Sequence, residues 1–262
     1  MINILRKISN VLSFRKLKRN YDYKFFEEDQ NDRFKRLGFD RKQALEKLSI
    51  VKKKYDLINR KMSSEHETLF SALSNKIDFP KIEILEIGTF DGANSFLLSL
   101  LFQNSNITTV DLPDDNEEFV KTYDRQKDYN QFIKKRDEIL SKGKNIEFLK
   151  TNSINLIKLK KKFDIIWIDG AHGYPTVCID IINSFNMLNE NGIALCDDVF
   201  LTKPLNEDQT YRSIGAFQTL KSLENEKLIS LNLFYKRLDA LNNCDPSKRK
   251  FIALFTKNQL DT

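Results

Sequence analysis

The sequence predicts an α/β protein: a doubly wound, mostly parallel sheet with a C-terminal antiparallel hairpin and a helical N-terminal extension. Three observations carry this. From Lys81 onward, short apolar runs suited to buried strands alternate with helix-length stretches. Toward the C-terminus two strand-like runs, Leu228–Tyr235 and Lys250–Lys257, follow one another with no helix-length apolar pattern between them. Before Lys81 the apolar residues recur at helical spacing. The chain therefore divides into an extension, 1–80, and an α/β domain, 81–262. With 262 residues, 40% of them apolar and 20 of them Phe, it can bury a sizeable core.

The elements follow in order. Ile4, Leu5, Ile8, Val11 and Leu12 lie at helical spacing within residues 1–20, among six basic residues and no acid. Such a helix packs on the body, packs on a second subunit as a homo-oligomer contact, or lies on an anionic membrane. Asp40 can cap a second helix whose stripe is Leu48, Val51, Tyr55, Ile58 and Met62. Ser64 and Glu67 have capping-box spacing ahead of a third. Strands are expected near Glu83–Ile87, Ile107–Val110, Ile146–Leu149, Asp164–Ile168 and Gly192–Cys196. Helices are expected near Asp91–Phe102, Glu117–Leu140, Ile154–Lys160 and Thr176–Asn189.

Several classes are disfavoured. No run reaches the ~18–20 apolar residues that span a bilayer. Cys178, Cys196 and Cys244 are unevenly spaced and form no CxxC, which fits reduced thiols in a cytoplasmic protein. The net charge of +6 is carried entirely by residues 1–20, so the rest is balanced and no basic nucleic-acid surface is indicated.

In an open parallel sheet, ligands bind beyond the carboxyl ends of the strands. The first expected strand runs into E-I-G-T-F-D-G, where Gly88 permits a sharp turn and Gly92 lets a ligand approach the backbone. Asp111 ends the second, placed to accept both hydroxyls of a ribose. Thr151, Asn152 and Ser153 follow the third, where they read an adenine edge or cap a helix. Together these features describe a nucleoside site. The spacing is G-x-x-x-G, so the dinucleotide fingerprint of a dehydrogenase is missing.

I-L-E-I-G-T-F-D-G, T-T-V-D-L, F-D-I-I-W-I-D-G-A-H and G-I-A-L-C-D-D-V resemble the successive motifs of class I S-adenosylmethionine-dependent methyltransferases. The resemblance covers about Lys81–Thr256 and is closest to bacterial small-molecule and sugar O-methyltransferases. It implies a Rossmann-like, seven-stranded sheet and S-adenosyl-L-methionine as cofactor. It also implies that Glu86, Gly88, Thr89, Phe90, Asp91, Gly92 and Asn94 surround the methionine end. Asp111 and Leu112 would hold the ribose, with Asn152 and Ser153 near the adenine and Asp169 beside the cofactor. Phe90 departs from the pattern, since many members carry Gly there. The charged Leu112–Ser141 connection departs as well.

Asp169 ends the fourth expected strand, Asp197 and Asp198 end the fifth, and His172 lies nearby. Three like charges at one mouth repel, and a divalent cation resolves the repulsion. Similarity to metal-dependent O-methyltransferases implies Asp169, Asp197 and Asp198 as Mg²⁺ ligands. A neutral imidazole suits proton removal from a hydroxyl, so His172 is the expected base, with Asp169 as its catalytic partner. The other reading gives His172 a hydrogen-bonding role. Val199–Ser213, with Lys203, Tyr211 and Arg212, is expected to form a substrate lid or a solvated loop, and Tyr174 joins the substrate set. His66 is read as structural or cofactor-adjacent, and Trp167 and Cys196 as core. The expected function is O-methylation of a small polar hydroxyl compound, such as a glycan sugar or a secondary metabolite. The alternatives are a nucleic-acid methyltransferase using the basic arm, and a non-catalytic scaffold. Expected localisation is cytoplasmic, with residues 1–20 a candidate for peripheral membrane contact.

Overall fold

The computed structural model describes residues 18–19, 21–57, 64–77, 81–122 and 127–259. The basic stretch at 1–20 lies almost wholly outside these residues, as do Ile58 and Met62. In chain order the strands are β1 (Ile82–Ile87), β2 (Ser105–Asp111), β3 (Ile146–Lys150), β4 (Phe163–Ile168), β5 (Leu188–Val199), β6 (Ile229–Tyr235) and β7 (Phe251–Lys257). The helices are α1 (Tyr23–Arg36), α2 (Arg41–Lys54), α3 (His66–Lys76), α4 (Ala93–Leu101), α5 (Glu117–Lys121), α6 (Tyr129–Leu140), α7 (Thr176–Met187), α8 (Gly215–Asn225) and α9 (Ala240–Asn243).

One sheet holds all seven strands in the order β3-β2-β1-β4-β5-β7-β6. Strands β1 to β5 pair in parallel, while β7 runs antiparallel to both β5 and β6. The hairpin thus inserts β7 beside β5 and leaves β6 at the edge. Winding starts at β1, moves out to β3 and returns to β4, so the carboxyl ends of β1 and β4 flank a crevice.

Side-chain alternation explains the layers. Leu85, Ile87, Ile166 and Ile168 share one core with Val177 and Ile181 of α7 and Leu220 of α8. Ile84, Ile165 and Trp167 share the other with Leu48 of α2, Phe70 and Leu73 of α3, and Leu98 of α4. The N-terminal helices therefore cover one face of the sheet. His66 fits the structural reading: it is buried, hydrogen-bonded to Ser64 Oγ at 2.7 Å and packed 5.2 Å from the Trp167 ring. Trp167 and Cys196 are fully buried, as expected of core residues.

Other features depart from expectation. Asp40 does cap α2, accepting from the Gln43 amide at 3.0 Å. The capping box at Ser64 and Glu67 does not form, because Ser64 binds His66 and Glu67 pairs with Lys52. The expected helix Glu117–Leu140 is two helices, and Ile154–Lys160 is a 3-10 helix over Ser153–Leu159. Fully buried Arg136 secures α6: its guanidinium donates to Asp114 at 2.7 Å and lies 4.6 Å over the Phe148 ring. Helices α1 and α8 were not expected. Helix α1 is mostly polar and buries only Phe26, Gln30 and Phe34, lying across the sheet edge so that its two buried Phe enter different cores. There the Gln30 side chain accepts from the Tyr235 amide at 3.0 Å and donates to the Tyr235 carbonyl at 3.2 Å.

Candidate active site

The turn after β1 is built on left-handed backbone. Gly88, Phe90 and Gly92 have φ of 103°, 50° and 75°. A Cβ at Gly88 would stand 2.2 Å from the Asp169 carbonyl oxygen, so the β1 and β4 ends approach more closely than a side chain permits. Phe90 pays roughly 1–2 kcal/mol for its conformation, and its ring packs 5.5 Å from that of Phe132 in α6. The Phe90 and Leu112 amides each donate to Asp111, both at 2.9 Å. That fixes the carboxylate at the end of β2. A carboxylate oxygen accepts more than one hydrogen bond, so the same group can still take a diol.

Glu86 lies beneath this turn and is fully buried. It accepts from Asn94 Nδ2 at 2.8 Å, from Thr109 Oγ1 at 2.6 Å and from Ser95 Oγ. Burial pushes its carboxyl up to about 7, against the lowering effect of those donors. Thr109 also meets Thr89 Oγ1 at 2.7 Å, so Glu86 braces the turn from below. Asp91 accepts from the Ala93 amide at 3.0 Å at the start of α4. Asn152 accepts from the Ile154 amide at 3.0 Å, capping the 3-10 helix that Ser153 opens.

The ends of β4 and β5 bring Asp169, Asp197, Asp198 and His172 together. His172 Nε2 lies 3.4 Å from Asp169 Oδ1 and 3.8 Å from Asp198 Oδ2. Burial pulls the imidazole pKa down, but the charges of Asp198, Asp169 and Asp197 outweigh it, and the net direction is up. Burial and the Asp197 charge push the Asp169 carboxyl up to about 6, opposed by His172 and Lys236. Asp198 moves the other way: burial raises it, yet His172, Lys236 and Lys250 hold it well below the carboxylate range. Asp198 also has φ of 55°, a conformation that Asp and Asn tolerate better than most residues.

Two residues that sequence reasoning missed complete this cluster. Lys236 Nζ donates to Asp197 Oδ2 at 2.6 Å and to Asp198 Oδ1, and Lys250 Nζ donates to Asp198 Oδ2 at 2.6 Å. They flank the β6–β7 hairpin, where Tyr235 pairs with Phe251 and the Lys236 amide donates to the Lys250 carbonyl at 3.0 Å. The signal available in sequence was their position at facing ends of the two terminal strands. The expected magnesium set is not met. Mg²⁺ demands near-octahedral oxygen ligands at about 2.0–2.1 Å, whereas ammonium groups already engage Asp197 and Asp198. Among the described residues no group of three His, Cys, Asp or Glu is arranged to hold a metal.

The loop between β5 and α8 docks on the His172 segment. The His172 amide donates to the Thr210 carbonyl at 2.7 Å, and Ser213 Oγ donates to the His172 carbonyl at 3.2 Å. A Cβ at Gly173 would lie 2.0 Å from the Gln209 backbone, so only Gly fits beneath this loop. Tyr174, Lys203, Glu207, Gln209, Ser213 and Gln218 are among the residues lining a cavity of about 630 Å³ here. Lys203 pairs with Glu207 at 3.2 Å. Tyr211 and Arg212 are exposed on the same loop and do not line that cavity.

A seven-stranded sheet with only β7 reversed, a glycine turn after β1 and an acid after β2 make up a Rossmann-like methyltransferase fold. Residues 85–199 match a family described as a methyltransferase domain. No curated protein matches the chain. Among solved structures, a protein described as an O-methyltransferase from Klebsiella pneumoniae is similar at 14% identity and a TM-score of 0.54, with 90% of this chain and 99% of that one covered. An O-methyltransferase from Bacillus cereus in complex with S-adenosylhomocysteine is similar at 16% identity and a TM-score of 0.53, covering 82% and 90%. At these identities the likeness is one of fold.

Proposed function

We propose that the protein transfers a methyl group from S-adenosylmethionine to a hydroxyl of a small polar acceptor, a sugar or sugar-like compound. The observation that carries this reading is the Asp169–His172 pair, 3.4 Å apart at the crevice beside the Gly88 turn. Bound in that crevice, S-adenosylmethionine supplies an electrophilic methyl on sulfur. Asp111 holds the ribose diol, and Asn152 and Ser153 lie near the adenine. His172 Nε2 takes the acceptor proton as the oxygen attacks, and Asp169, which faces that nitrogen, stabilises the imidazolium that forms. The cavity beside Tyr174, Lys203 and Glu207 offers a sugar-like acceptor hydrogen-bonding side chains. No step calls on a metal.

Calorimetry with S-adenosylhomocysteine tests the cofactor part. The native protein binds it, and Asp111→Ala weakens binding by about 1.5–3 kcal/mol for each charged hydrogen bond lost. Unchanged affinity in that variant would overturn the assignment. Incubation with methyl-labelled cofactor and a panel of sugars and vicinal diols tests the reaction. The expected product is an ether stable to mild base; a base-labile ester would move the acceptor class to carboxylates.

A further inference from the structure

We propose that Lys236 fills the place a divalent cation would take among Asp169, Asp197 and Asp198, and that its ammonium group holds the acceptor oxygen during transfer. This rests on the reading above that the cluster faces the acceptor. Lys236 has three N–H donors, and the two carboxylate contacts occupy two of them. The third is left for a ligand. Asp197 supplies a second, independent pointer: its side chain is 2% exposed, and its Oδ1 is buried without a hydrogen-bond partner. A buried carboxylate oxygen in that state is costly unless something donates to it. A neighbouring hydroxyl of the acceptor donating there, with the reacting oxygen accepting from Lys236, answers both vacancies.

Charge supports the same conclusion. Asp169, Asp197 and Asp198 bring three negative charges, and Lys236 and Lys250 return two positive ones. The single charge left over is matched when His172 takes up the acceptor's proton. A divalent ion added to this set would leave a buried excess of positive charge, which is strongly disfavoured. The lysine is also built in. Its amide donates to the Lys250 carbonyl at 3.0 Å, and its carbonyl accepts from the Glu65 amide of the N-terminal extension at 2.9 Å. In the transfer the acceptor O–H proton goes to His172 Nε2, the O–C bond forms as the C–S bond breaks, and the sulfur keeps the electron pair. Lys236 stays protonated throughout and stabilises the developing oxyanion, as preorganised donors do elsewhere.

Mn²⁺ titration followed by electron paramagnetic resonance separates this inference from the methyltransferase reading, which calorimetry with S-adenosylhomocysteine reports. The native protein is expected to leave Mn²⁺ free in solution and to keep full turnover in excess chelator. Lys236→Met should bind one Mn²⁺ per chain and lose about 10²–10³-fold in kcat while holding its cofactor affinity. If that variant does not fold, the charge-balanced pair Lys236→Met with Asp197→Asn keeps the kinetic arm, again with a large loss in kcat expected. Stoichiometric Mn²⁺ binding by the native protein, or turnover abolished by chelator and restored by Mg²⁺, would overturn the inference. So would near-native kcat in a folded Lys236 variant.

Discussion

His172 shows how one side chain is tuned by what surrounds it. Among three carboxylates it holds its proton to a higher pH than an ordinary histidine, despite burial. A base must be neutral to act, so kcat should rise with pH, with a midpoint above the usual value of about 6.5. Proton loss from Asp169, near pH 6, precedes that step. A pH–rate profile with its midpoint at or below 6.5 would contradict this assignment. His172→Ala should lower kcat by about 10²–10⁴-fold and remove that limb of the profile. At this scale the sequence was informative where chemistry is local. Asp111, Asp169, Asp197 and His172 could be placed because each follows a readable strand. Lys236 and Lys250 could not, because their meaning depends on β7 lying beside β5, a pairing between segments more than 50 residues apart.

At the scale of elements, the turn from Glu86 to Gly92 concentrates strain above a buried acid. The folded pKa of Glu86, about 7, lies above its ordinary 4.5. Such a group contributes its stabilisation fully below pH 4.5 and loses it as the pH rises through 7. Glu86→Gln keeps the shape and most of the hydrogen bonding without a titrating proton. Thermal melts across pH 5–9 should therefore show a shallower alkaline decline for the variant, with a difference of order 3 kcal/mol at the high end. Parallel curves would mean that Glu86 is ionised across this range in the folded protein as in the unfolded one, with no raised pKa. The strands were legible because apolar runs between polar ends have few other uses. Helix α1 was not, because its buried residues Phe26, Gln30 and Phe34 recur only once per turn in a charged stretch. Helix α8 hides similarly, burying Ala216, Leu220 and Leu223 after a loop whose composition gives no warning. The single helix expected over Glu117–Leu140 failed for the opposite reason: its charge pattern continues across a break that Thr122, in extended conformation, imposes.

For the whole molecule, charge is unevenly placed. The six basic residues within 1–20 account for the entire net charge, and no helix of the described residues is long and apolar enough to cross a membrane. Surface attachment through that arm remains a proposal with a direct test. The protein should co-sediment with anionic vesicles at low salt and release as salt rises, and deleting 1–17 should abolish the effect. Equal sedimentation of both forms would assign the arm to packing.

The hydrogen bonds from Gln30 to Tyr235 have a consequence for solubility. An edge strand is an open invitation, since any extended peptide can continue its ladder. At Tyr235 the invitation is withdrawn by a single carboxamide, which offers the same donor and acceptor that another strand would offer. Arg33 does likewise for the Leu233 carbonyl at 2.7 Å. The N-terminal extension is thus a stopper as well as a buttress: it ends a ladder that could otherwise propagate from one molecule to the next.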